Sequence, residues 1–107
     1  MSNFSAFYPQ TAATTQAVTA SSTTFALPTN GTGVNAIGCG QYYVVNNGTN
    51  VVYFTFGQTN AVTTSVATGV PLLSNTAQTF SGPPNGFMAV ISGSTGNSVT
   101  VVGGEGI

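Results

Sequence analysis

The stretch Gln41–Phe56 constrains the fold more than any other part of this sequence. Two runs rich in β-branched and aromatic residues flank a short polar loop that contains Asn47-Gly48, a pattern that predicts a β-hairpin. Side chains alternate along a strand, so Tyr43 and Tyr53 are predicted to point away from the core-facing row. That row is predicted to consist of Tyr42, Val44, Val52, Phe54 and Phe56. Because both faces are apolar, we expect the hairpin to lie between two sheets, or between a sheet and a partner chain.

Further short strands are predicted before and after this hairpin. They are Thr-rich or Val-rich segments bounded by Gly, Pro and Asn. They lie at residues 14–19, 22–27, 61–66, 77–80, 87–92 and 98–102. The last two are predicted to form a second hairpin, followed by a flexible end at residues 103–107. No segment has the apolar spacing of an amphipathic helix. About seven or eight short strands with regular turn signals predict an all-β fold, an antiparallel sandwich or a jelly roll.

The N-terminal segment differs from the rest of the chain. Residues 1–14 are predicted to form an extended arm, and residues 15–107 a single β-sandwich domain. The arm carries Phe4, Phe7 and Tyr8 at irregular spacing, which does not fit a capped helix. Two interpretations stay open at this point. The arm is either a first strand that packs on its own domain, or a tether that lays its aromatic side chains on a neighbouring subunit.

Charged side chains are almost absent from the sequence. It has no Lys, Arg or His, and Glu105 is its only acidic residue, whereas about a quarter of the residues in an ordinary soluble chain are charged. Binding to nucleic acid or to anionic membrane surfaces depends on cationic groups, so we expect neither partner. A net charge near zero gives little repulsion between molecules. We therefore expect the chain to associate and to be part of an assembly in which neighbours cover much of its surface.

The residues needed for catalysis and for metal binding are missing too. Paired carboxylates, a Ser/His/Asp triad and an activated cysteine all need groups that the sequence lacks. Cys39 is the single cysteine, so it forms no internal disulfide and no metal cluster. We expect no enzymatic activity, no cofactor and no metal. No Lys- or Arg-led signal peptide and no long apolar run are present, which predicts a protein made in the cytoplasm and used without export.

Several strings are similar to those of the small, charge-poor β proteins among the virion structural proteins of tailed bacteriophages. They lie at residues 3–9, 42–48, 52–57, 70–73 and 101–106, and the resemblance covers most of the chain loosely. The resemblance implies a capsid decoration (cement) protein or another minor capsid protein, made in a bacterial cytoplasm and located in the virion. Its partners would be further copies of itself, in a homo-trimer or another homo-oligomer, and a major capsid protein.

Five aromatic residues are the candidate contacts with a partner or a second subunit. They are Phe4, Phe7, Tyr8, Tyr43 and Tyr53. Two other functions stay open on the sequence. One is a different virion or filament subunit, such as a tail-fibre or head-fibre base. The other is a carbohydrate- or surface-binding β module, in which Tyr42, Tyr43 and Tyr53 would stack on sugars, although packing in a core or a subunit interface is the more common role of such tyrosines.

Overall fold

The computed structural model describes residues 8–9, 11–29, 40–83 and 85–105. These residues form β-strands and no helix, as predicted. The strands are β1 (Tyr8–Pro9), β2 (Thr14–Val18), β3 (Thr23–Ala26), β4 (Gln41–Asn46), β5 (Val52–Gly57), β6 (Val70–Leu72), β7 (Ala77–Ser81), β8 (Phe87–Ser92) and β9 (Asn97–Glu105). Apart from the two-residue β1 there are eight strands in the described residues, within the predicted number.

The strands form two antiparallel sheets. Sheet A has the order β2–β9–β4–β7, with β1 also pairing with β9, and sheet B has the order β3–β8–β5–β6. From β2 onward the chain changes sheet at every connection except the one between β5 and β6. Two four-stranded sheets with this strand order make a jelly roll. The predicted antiparallel sandwich of the jelly-roll type is therefore confirmed.

The core lies between the two sheets and is made almost wholly of apolar side chains. Its fully buried members include Val18, Tyr42, Val44, Val52, Phe54, Leu72, Met88, Val90, Val99 and Val101. Phe54 of sheet B meets Phe80 of sheet A edge to face, with ring centroids 4.9 Å apart. Each large side chain buried in this way contributes about 1.5–3 kcal/mol. The predicted core-facing row of β4 and β5 does face this core.

The predicted hairpin over Gln41–Phe56 is wrong. Both of its strands exist, but β4 pairs with β7 and β9 in sheet A, whereas β5 pairs with β6 and β8 in sheet B. The connection is an arch that carries the chain across the core. Asn46 holds this arch, because its buried side chain accepts from Gly48 N and donates to Asn50 O, both at 2.9 Å. An arch and a hairpin have the same local pattern of apolar residues, so that pattern could not separate them.

Three further predictions are corrected. Strands β8 and β9 belong to different sheets, so the second predicted hairpin is also an arch. Residues 103–105 were predicted to be flexible, but they belong to β9 and pair with β1 and β4. Residues 61–66 form no strand and instead lie within the connection between β5 and β6.

The described part of the N-terminal arm lies along sheet A of the same chain. Tyr8–Pro9 pairs with Glu105 and Gly104 of β9, and Thr11 Oγ1 accepts a hydrogen bond from Gly103 N at 3.0 Å. Strand β2 begins at residue 14, the last residue of the predicted arm. Phe4 and Phe7 lie outside the described residues, so the tether and the division of the chain at residue 14 stay predictions.

Candidate interaction surface

The outer face of sheet B is covered by its own chain. The connection between β5 and β6, residues 58–69, packs across this face and is called the covering loop below. Thr24 Oγ1 donates to Val62 O at 2.6 Å, and Thr55 Oγ1 donates to Thr64 Oγ1 at 2.9 Å. Thr64 is buried as a result. The loop therefore removes much of this face from contact with any partner.

Glycines at both ends of the covering loop allow its close approach to the sheet. A Cβ at Gly57 would lie 2.5 Å from Val62 Cβ, and a Cβ at Gly69 would lie 2.6 Å from Thr64 Oγ1 and 2.8 Å from Tyr53 Cβ. Real Cβ atoms do not come so close to other heavy atoms. Tyr53, one of the predicted contact residues, thus lies half-buried beside the chain's own loop.

The outer face of sheet A has no such cover in the described part of the chain. Strand register and alternation show which side chains lie on this face, and most of them are small, β-branched or hydroxyl-bearing. The face comprises Thr15, Ala17, Gln41, Tyr43, Val45, Ala77, Thr79, Ser81, Ser98, Thr100 and Val102. None of these side chains is charged. We call this surface the open face.

Polar side chains hold the open face in place. Thr15 and Thr100 share a hydrogen bond between their hydroxyl oxygens at 3.0 Å, which links β2 to β9. Asn47 Nδ2 donates to Thr100 Oγ1 at 2.8 Å from the start of the arch. These bonds fix the rotamers of groups that would otherwise be free to move in solvent, so this part of the open face is a pre-organised surface.

A shallow cavity of about 280 Å³ lies on the open face. Pro9, Tyr43, Thr79 and Val102 line it, one residue from each of β1, β4, β7 and β9. The register places Tyr43 directly between Val102 and Thr79, and the tyrosine is 39% exposed. The lining is mainly apolar and the volume is just below the usual range for small-molecule pockets, about 300–1,000 Å³. The cavity therefore fits one partner side chain better than a cofactor.

The predicted contact residues do not form one cluster. Tyr43 lies on the open face, whereas Tyr53 lies on the opposite, loop-covered side of the sandwich. Tyr8 is in β1, next to the cavity residue Pro9. The other cavity residues were missed by sequence reasoning, because alternation gives the face of a residue but not the strand beside it.

Buried amides gather at the end of the sandwich that carries the arches. Asn46 Nδ2 donates to Leu72 O at 3.0 Å, and Asn97 Nδ2 donates to Ser92 Oγ at 3.2 Å. Within the described residues, every buried side-chain nitrogen and oxygen has a hydrogen-bond partner. These amides therefore stabilise the arches and leave no polar group directed at a ligand.

The described ranges hold no group of three or more His, Cys, Asp or Glu residues that could bind a metal ion. They also hold no helix with the length and hydropathy needed to cross a bilayer. Cys39 lies outside the described residues. The polar side chains of the described residues are hydroxyls, amides and phenols, apart from the carboxyl group of Glu105.

Comparison with protein-family models, with curated proteins and with solved structures found no match for this chain. The functional argument therefore depends on the fold and on the two unequal outer faces. The jelly roll occurs in viral capsid proteins, in lectins and in cupins. Because one fold serves many functions, the fold alone does not identify the function, and the properties of the surface are needed to distinguish the candidates.

Proposed function

We propose that this protein is a non-enzymatic structural subunit of a bacteriophage virion, a decoration (cement) protein that stabilises the capsid shell by packing against it in many copies. The observation that carries the proposal is the uncharged open face of sheet A, with exposed Tyr43 beside a shallow apolar cavity. A surface of this kind suits contact with another protein surface. It offers no group for catalysis.

The lack of ionic groups supports a role in a particle that meets variable conditions. Contacts made through apolar packing and backbone pairing are screened little by salt, whereas exposed ion pairs weaken as ionic strength rises. Burying an aromatic side chain such as that of Tyr43 contributes on the order of 1.5–3 kcal/mol per copy. Repetition over many copies would make this a substantial stabilisation of the shell.

Carbohydrate binding has less support from the described side chains. Tyr42 is fully buried and its hydroxyl donates to Pro83 O at 3.0 Å, so it cannot stack on a sugar. Tyr53 lies beside the covering loop on the other side of the molecule. Of the three tyrosines named for this role, Tyr43 is the one left exposed, and sugar sites have several groups that converge on the ligand. A glycan array with reproducible hits would support this alternative instead.

A shell-binding experiment tests the proposal. Purified protein is mixed with shells of the source particle from which it has been stripped, and the bound fraction is measured by co-sedimentation at low and high salt. We expect saturable binding that changes little with salt. We also expect Tyr43→Ser to reduce it, whereas the matched variant Tyr53→Ser binds as the unsubstituted protein does. A chain that is absent from the purified particle, or that does not bind the stripped shells, would refute the virion role.

A further inference from the structure

Strand β7 (Ala77–Ser81) forms one edge of sheet A. It pairs with β4 on one side and with no described strand on the other. Two flanking hydrogen bonds define the paired side: Asn46 N donates to Thr76 O at 2.9 Å, and Gly82 N donates to Gly40 O at 3.2 Å. In an antiparallel ladder, residues that bond to the neighbouring strand alternate with residues that do not. The two flanking bonds therefore determine which groups of β7 face outward.

Alternation from these flanking pairs assigns every residue of β7. Gln78 and Phe80 direct their N–H and C=O groups toward β4. Ala77, Thr79 and Ser81 direct theirs to the outer side, where no described residue bonds to them. The outward row thus presents N–H and C=O groups on alternate residues, which is the arrangement that accepts another antiparallel strand.

Three of the other four edge strands are blocked in part. β1 contains Pro9 and the three-residue β6 contains Pro71, and proline cannot donate to a ladder. The outward carbonyl of Ala17 in β2 accepts from the side chain of Gln16 at 3.1 Å. The fourth, β3, has four residues, one fewer than β7. Natural edges are usually blocked by proline, by charge or by a covering segment, and β7 has none of these among its described neighbours.

We propose that two copies of this chain pair through β7, antiparallel, about a two-fold axis at Thr79. In this register Thr79 lies opposite Thr79 of the second copy, and Ala77 lies opposite Ser81. Each opposed pair consists of outward-facing residues, so each exchanges N–H···O=C bonds across the interface. The register is self-complementary, as a closed two-fold contact requires.

Three properties of β7 favour a second copy as the partner. The strand carries no charge, so the symmetric pairing brings no like charges together. Pairing would cover exposed Gln78 and half-buried Phe80. It would also join the open faces of two copies into one continuous surface with a Tyr43 on each half. This inference concerns self-association and goes beyond the proposed function, because a β7 dimer can form whether or not the protein binds a shell.

Thr79→Pro is the first test, because it removes an outward N–H and leaves the bonds to β4 in place. Sedimentation velocity over a range of concentrations is expected to give a dimer for the unsubstituted protein. Thr79→Pro should raise the dissociation constant at least about tenfold, with an unchanged β-sheet circular dichroism spectrum. The matched control Thr79→Val keeps the N–H and should remain dimeric. A monomeric unsubstituted protein, or a Thr79→Pro protein that is folded and still dimeric, would overturn the proposal.

Thr79→Lys provides a second test if the proline variant does not fold. Two lysines opposite each other on the axis repel, and salt screens that repulsion. We expect a monomer at low salt and recovery of the dimer at high salt. A dimer at low salt would count against pairing at Thr79.

Disulfide cross-linking tests the register directly, in a Cys39→Ser background. Bonded antiparallel residues lie about 5.5 Å apart between Cα atoms, within the range of about 4.4–6.8 Å that a disulfide spans. Thr79→Cys should therefore form covalent dimers on oxidation. Ser81→Cys alone should not, but a mixture of Ser81→Cys and Ala77→Cys proteins should. Efficient cross-linking of Ser81→Cys alone would contradict the register. Shell binding by the unsubstituted protein, measured separately, distinguishes this outcome from failure of the virion role.

Discussion

The buried side chain of Asn46 donates a hydrogen bond to the backbone carbonyl of Leu72 at 3.0 Å, and so ties sheet A to sheet B. The same amide also bonds to Asn50 O and to Gly48 N. One side chain therefore fixes both the arch between β4 and β5 and the position of β6. In a core that is otherwise apolar, this polar contact specifies how the two sheets are joined.

Asn46→Ala is expected to destabilise the protein by about 2–4 kcal/mol, because it leaves buried backbone groups of Leu72 and Gly48 without their partner. Urea unfolding followed by circular dichroism measures the difference. The side chain of the neighbouring Asn47 is exposed and donates to hydroxyl groups of β9. Asn47→Ala should therefore cost less than about 1 kcal/mol, and equal costs for the two variants would contradict the role assigned to Asn46.

Gly57→Ala is expected to loosen the covering loop, because the added methyl would overlap Val62. We expect a loss of about 1–3 kcal/mol, typical of overpacking, together with faster proteolysis within residues 58–69. Gly93 is the matched control, since a Cβ there meets nothing within 4 Å. Combining Gly57→Ala with Val62→Gly removes the Cβ atom that would lie 2.5 Å away and should relieve the overlap, so the two costs should not add. If the free-energy costs of the two substitutions added exactly, residues 57 and 62 would not be in contact.

Phe54→Ala is expected to cost about 3–5 kcal/mol, the usual range for truncating a buried aromatic residue. Its ring lies in the centre of the core and packs edge to face on both Phe56 and Phe80. Phe80 is only half-buried on the edge strand β7, so Phe80→Ala should cost clearly less. Chemical unfolding of both variants, at protein concentrations low enough to keep the chain monomeric, measures the order, and a larger loss at Phe80 would contradict the central position of Phe54 in the core.

The free energy of unfolding is expected to vary by less than about 1 kcal/mol between pH 6 and 8. No side chain of His, Lys or Arg is present, and Glu105 is the one acidic side chain, so few side chains can change charge with pH. Salt should also have little effect, since there are almost no side-chain charges to screen. Unfolding curves at several pH values and salt concentrations check this. A steep dependence on either would indicate an ionisable contact made through a terminus.

Most of the strands could be predicted from the sequence, although β6 was not, but their partners could not be predicted. Alternation placed Tyr42 inward and Tyr43 outward, because the two-residue period of a strand is a local property. The Asn-Gly loop after Asn46 predicts a hairpin turn. This prediction fails because a hairpin and an arch differ only in contacts that come from distant strands. The segment around Val62 resembled a strand by composition, but it packs against Gly57 as a loop.

The candidate surface could likewise be predicted only in part, in its exposed residues but not in their neighbours. Tyr43 was found from its alternation on β4. Its neighbours Pro9, Thr79 and Val102 come from segments far apart in the sequence, and only the pairing of β4 with β7 and β9 brings them together. The predicted hairpin places Tyr53 and Tyr43 on the same face of one sheet. The arch sends them to opposite sides of the molecule.

Because residues 58–69 pack over sheet B, the two outer faces of the molecule differ. The open face of sheet A is its front, and the loop-covered face of sheet B is its back. The covering loop occupies much of the back, so attachment in the proposed role is expected through the front and in a single orientation. A coat assembled from such subunits would turn their loop-covered backs to the solution. Adding a second layer would then need a contact on the covering loop itself, where Val66 is exposed.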